Sequence, residues 1–158
     1  MKSIFKTLII IIIVIGLSSF MLKNEYYKLI IKEGKWVKEN KQTYLIIPTT
    51  LTNNSNDTLK YYSMSCSWQE FYSIDNDRLQ IVRNDCLKNA PIILILAPKQ
   101  STTVKIRLVK TKSTDVSLIK FRIGFNLMQA NNSNKKFDYN EEEQRKKKNV
   151  IWSNEISM

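Results

Sequence analysis

Between Leu118 and Met128 the chain alternates with strict period two. Ile119, Phe121, Ile123, Phe125 and Leu127 fall on one face, and Lys120, Arg122, Gly124 and Asn126 on the other. Successive side chains of an extended strand point to opposite faces, so five apolar residues in this order predict a half-buried strand and exclude a helix. The pattern recurs from Thr103 to Val109, with Val104, Ile106 and Leu108 inward, and from Thr43 to Leu51, with Leu45, Ile47 and Leu51 on one face. Pro48 lies inside the latter segment, and its missing N–H is expected at an edge or a bulge. Shorter strands are expected from Tyr27 to Lys32, Trp36 to Lys38, Leu59 to Trp68, Arg78 to Arg83, Ile92 to Leu96 and Val150 to Ile156. The run Ile92 to Ala97, enclosed by Pro91 and Pro98, reads as a buried strand. Eight or so short strands with turn-rich breaks between them predict an all-β antiparallel sandwich or barrel.

The N-terminus follows different rules. Lys2 and Lys6 precede the apolar run Leu8 to Leu17, which ends in Gly16, Ser18 and Ser19, the pattern of a secretory signal. The 16 uncharged residues between Lys6 and Lys23 reach about 24 Å as a helix, short of the ~30 Å hydrocarbon core. A cleaved signal over residues 1–18 is therefore expected. The alternative is an uncleaved anchor extended to about residue 22 by Phe20, Met21 and Leu22, which would hold the protein at a membrane. Either way the rest of the chain is expected outside the cytoplasm, in the periplasm or at the cell surface.

Residues 19–158 suffice for a single domain with its own core. Histidine is absent, which removes imidazole general bases, Ser-His-Asp and Cys-His machinery and histidine metal sites. No catalytic residue, cofactor or metal is expected, although a carboxylate-dependent hydrolase remains a third reading behind two binding roles. The net charge of +11, or +9 without Lys2 and Lys6, reads first as a lysine-rich solvated surface, with an anionic partner such as lipid or glycan as the alternative. An exported protein rarely meets nucleic acid, so none is expected as a partner. Cys66 and Cys86, with 19 residues between them, form an even pair that reads as a disulfide in an exported chain. Two buried free thiols are the alternative.

Three stretches carry a resemblance. They are Leu51-Thr-Asn-Asn-Ser-Asn-Asp-Thr-Leu-Lys-Tyr61 with Ser65-Cys-Ser-Trp68, Leu96-Ala-Pro-Lys-Gln-Ser101, and Phe121-Arg-Ile-Gly-Phe125 with Ile151-Trp-Ser-Asn154. Over residues 43–156 the chain resembles an uncharacterised family of exported bacterial immunoglobulin-like β-sandwich envelope proteins, in which an N-x-S-x-x-x-L turn joins two core strands and an L-x-P-x-x-S turn opens a later one. The resemblance implies a sandwich of about 7–8 strands and says little about function. The cysteine spacing departs from the cross-sheet bridge of the immunoglobulin domain. It implies instead a local clip between the strand from Leu59 to Trp68 and the segment before Pro91.

The remaining candidates are few. Trp68, Phe71 and Tyr72, beside Cys66 and downstream of Tyr61 and Tyr62, suit sugar or peptide contact if exposed, and core packing if not. Asp75 and Asp77 flank Asn76, which suits a calcium loop less well than a polar turn, since the glycine and distal glutamate of an EF-hand are missing. Ser63, Ser65 and Ser67 have no base nearby and read as a polar strand face. Asn131 to Asn149 is of low complexity and reads as a charged, mobile hairpin loop. Within it, Arg145, Lys146, Lys147 and Lys148 form a possible anion-binding finger, offset by Glu141, Glu142 and Glu143. The expected role is binding or assembly with an unknown envelope protein or an anionic surface.

Overall fold

A computed structural model describes residues 26–84, 86–111, 118–130 and 139–158. The apolar N-terminal run, and with it the signal or anchor, lies outside them. Among the described residues no helix is long and apolar enough to cross a membrane.

The described residues form twelve strands: β1 (Tyr27–Ile31), β2 (Lys35–Glu39), β3 (Gln42–Asn53), β4 (Leu59–Met64), β5 (Tyr72–Ile74), β6 (Leu79–Ile81), β7 (Pro91–Leu96), β8 (Ser101–Lys110), β9 (Lys120–Phe121), β10 (Ile123–Asn126), β11 (Val150–Trp152) and β12 (Ile156–Ser157). All pairings are antiparallel. One sheet has the order β1-β3-β8-β6, with β2 also on β3. The other strands pair as β11-β10-β5, β12-β9 and β4-β7. Residues 128–130 continue from β10 alongside β4, through a Tyr61–Gln129 bridge. Leu45, Ile47, Ile106 and Leu108 from the first sheet meet Tyr61, Phe71, Phe121, Ile123 and Phe125 in a single buried cluster. The inward faces expected from alternation in β3, β8 and the Leu118–Met128 segment are buried, apart from Val104 of β8, which is half-buried.

Pro48 shows how the chain accommodates a lost donor. Its carbonyl accepts from the Lys32 N–H at 3.1 Å, which places its nitrogen on the same side, where residues 32–34 cross from β1 to β2. The missing N–H therefore falls at a break in the ladder rather than inside one. Gly34 makes that crossing possible: a Cβ there would lie 2.7 Å from the Ile46 carbonyl oxygen and 2.3 Å from Ile47 Cδ1.

Several sequence expectations need correction. The Leu118–Met128 segment is two strands, because Arg122 turns aside: Asp75 Oδ1 accepts its N–H at 2.6 Å and Asp75 Oδ2 accepts its Nε at 2.8 Å. Gly124 and Asn126 are buried rather than solvated. Val150 and Trp152 close over Gly124, and Asn126 Nδ2 donates to the Gln144 carbonyl at 2.9 Å. That carbonyl belongs to the short helix α1 (Glu141–Lys146), which stands where a loop was expected. Asn140 caps it, accepting from the N–H groups of Glu142 and Glu143. Residues 131–138 of the expected loop lie outside the described residues. The strand from Leu59 stops at Met64 and gives way to a 3-10 turn, Trp68–Phe71, before β5. Finally, β7 is buried only at Leu96, while Ile93, Leu94 and Ile95 are exposed.

Candidate functional site

The segment Pro91-Ile-Ile-Leu-Ile-Leu96 is extended because β-branched and apolar residues fit a pleated surface and nothing in it favours a turn. Among the described residues β7 pairs with β4 alone. Tyr62 N–H donates to the Met128 carbonyl and Ala130 N–H to that of Lys60, both at 2.9 Å, while Ser65 N–H donates to Ala90 at 2.8 Å. Lys60 and Tyr62 thus direct their backbone groups away from β7, and Tyr61 and Ser63 toward it. With Tyr61 opposite Leu94 and Ser63 opposite Ile92, the antiparallel alternation leaves Ile93 and Ile95 with N–H and C=O facing outward, and Pro91 with its C=O. The side chains are open as well: Ile93 is 43%, Leu94 38% and Ile95 67% exposed. An edge of this length usually carries a charge, a bulge or a central proline. β7 has only Pro91, at its first position, where an outward-facing nitrogen loses nothing. That proline is the one sequence signal of an edge strand here.

Both ends of β7 are held. At its C-terminal end the buried Asn53 donates from Nδ2 to the carbonyls of Asp57 (2.8 Å), Leu96 (3.1 Å) and Ala97 (3.2 Å). Its Oδ1 accepts from the N–H and the hydroxyl of Ser55. The N-x-S-x-x-x-L and L-x-P-x-x-S turns therefore close on each other through one amide. At the N-terminal end Cys66 and Cys86 are joined as a disulfide with Cα atoms 6.2 Å apart. Asn89 Oδ1 accepts from the N–H groups of Cys66 and Ser67, and its Nδ2 donates to Ser67 Oγ. Ser65 Oγ accepts from Ala90 N–H at 3.1 Å. Ser65 and Ser67, which the sequence marks as part of an alternating polar face, dock the approach to β7, while Asn89 carries no signal in the sequence.

Lysines surround this edge. Lys60 is the cross-strand partner of Ile95, and Lys88 and Lys99 flank β7 at its two ends, all three exposed. Lys99 bonds the Asn54 carbonyl. Asp57 shares the cleft beside Ile95 with Lys60, so among the described residues cations are in excess along this edge.

The other sequence candidates disperse. Phe71 and Tyr72 are core residues: Tyr72 packs on Phe125 at 4.9 Å between ring centres and burial raises its phenol pKa, helped by Tyr61. Trp68 is half-buried, edge-on to Tyr72. These aromatics are therefore no exposed contact surface, because the 3-10 turn folds Phe71 inward. Asp75 is occupied by Arg122. Asn76 Oδ1 accepts from the N–H of Arg78 at 2.9 Å, in a polar turn. Burial pushes the Asp75 carboxyl up, but hydrogen bonds from the Arg122 N–H and side chain, with its charge, hold it below the ordinary value. Among the described residues no group of three acidic or cysteine side chains is placed to hold a metal. Arg145 and Lys146 are paired within α1 to Glu141 and Glu142. Lys147 turns inward, donating to Ser73 Oγ at 3.2 Å, and burial and then Arg83 lower its pKa. Lys148 alone of the four joins an open cleft, with Tyr26, Tyr27, Gln129 and Ile151 among its neighbours. The four do not form one finger.

Compared with family models, curated proteins and solved structures, the chain matches none.

Proposed function

We propose that the chain is an exported, non-enzymatic β-sandwich module of the immunoglobulin-like type that binds another protein of the bacterial envelope along β7. The fold reading is supported by the order β1-β3-β8-β6 in one sheet and by the placement of β7, β4, the 128–130 segment and β11 around β10 in the rest. The binding reading rests on one observation: an apolar strand with open backbone groups, fixed at both ends before any partner arrives. A pre-ordered edge loses little conformational entropy when a strand is added, and main-chain bonds then supply affinity. The disulfide and the signal-like N-terminus support work outside the cytoplasm.

A photo-crosslinking side chain placed at Ile93 in living cells tests this reading, with the same group at Lys105 on the other sheet as control. A discrete adduct with a second protein is expected from position 93 and not from 105. Equal yields from both, or none from either, would sink it.

A further inference from the structure

Resting on that reading, we infer that the occupant of β7 is an extended segment of another protein, apolar at alternate positions and acidic at both ends. The strand requirement comes from the backbone. Ile93 and Ile95 each offer one N–H and one C=O, so an added strand gains bonds at alternate residues, and its side chains on that face meet Ile93 and Ile95. The acidic ends follow from charge. Lys88 lies three residues before β7, Lys99 three after it, and Lys60 beside Ile95, where among the described residues Asp57 shares the cleft. Carboxylates at the ends of an incoming strand reach these lysines while its centre stays apolar.

A second copy of this chain fits less well. Two-fold pairing through the outward groups sets Ile93 against Ile95 of the copy, with Leu94 at the axis. Each end of the joined strands then brings Lys88 of one copy toward Lys99 of the other, between chains of net charge +11. The same lysines that select an acidic strand oppose self-pairing.

The test titrates the full chain with two synthetic peptides of about seven residues. Both alternate valine and threonine; one ends in aspartates and the other in lysines. Binding is read by fluorescence anisotropy, with amide exchange at Ile93 and Ile95 as the local probe. At about 0.05 M salt the aspartate-ended peptide is expected to bind about ten-fold tighter, and the difference to vanish near about 0.5 M. Ile93→Pro removes an outward donor that β4 does not use, so it should keep the melting curve and lose the peptide. If it fails to fold, Ile95→Lys, at a more exposed side chain, takes its place. Lys60→Glu with Lys88→Glu should reverse the preference. Equal affinity for both peptides overturns the acidic ends and leaves strand docking intact. A dimer in sedimentation that Ile93→Pro abolishes, without peptide binding, overturns the occupant in favour of a second copy. Neither binding nor a dimer, together with no adduct from position 93, overturns the proposed function as well.

Discussion

Asn53 is fully buried, and both ends of its amide are satisfied by groups from two turns 43 residues apart in the chain. Asn53→Ala leaves the Leu96, Ala97 and Asp57 carbonyls without this donor, and Asn53→Asp points a charge at them. The alanine variant should lose about 2–4 kcal/mol in urea unfolding, several times the effect of one exposed hydrogen bond. Asp75 makes a pH-dependent contribution with a defined sign. Its carboxyl is held below the ordinary range in the folded state, so its stabilisation is complete above the unfolded value of about 4 and is lost as pH falls through the folded one. Asp75→Asn should cost about 1 kcal/mol near neutrality. The gap between wild type and variant should close on acidification, and a gap that stays constant to pH ~2 would place the stabilisation outside this ion pair.

At the level of elements, α1 carries more than its six residues imply. Gln144 is buried, its carbonyl accepts from Asn126 and its side-chain Nε2 donates to the Glu70 carbonyl at 3.2 Å. Loop-closure entropy alone predicts that exchanging residues 134–148 for a short Gly/Asn turn changes stability little. Because that exchange strips the acceptor from a buried amide, a loss of about 1–3 kcal/mol is expected in thermal or urea melts. The sequence conceals this for a physical reason. Six residues, Gln144 among charged side chains of which four form i,i+4 ion pairs, hold no apolar stripe, and α1 is kept by contacts to residues far away in the chain. The alternating face of Ile119, Phe121, Ile123, Phe125 and Leu127 was readable because each residue carries its own signal. Gly124 and Asn126 were not, since what buries them is β11 and α1. The openness of β7 is concealed for a related reason. An all-apolar run has the composition of a central strand, and apart from Pro91 at its start only the pairing of its neighbours reveals that one side is open.

For the whole molecule, the Cys66–Cys86 bridge ties the end of β4 to the approach of β7. Closing a loop of this length contributes roughly 3 kcal/mol in the chain-entropy model. Cys66→Ala should lower stability by about 2–4 kcal/mol, and non-reducing peptide mapping of native protein should recover the linked peptides. Two freely alkylatable thiols would remove the clip from the fold. The exposed strand has a further consequence, which concerns handling rather than recognition. Six apolar residues without a charge, open along one side, are among the described residues the segment most able to stack on itself into cross-β aggregates. Nothing within the strand prevents it, so dispersal in solution depends on mutual repulsion between chains of +11. Added salt shortens the reach of that repulsion from about 10 Å at 0.1 M to about 3 Å at 1 M. Light scattering should therefore show the partner-free protein precipitating as salt rises, and Ile95→Lys should remain clear in the same buffers.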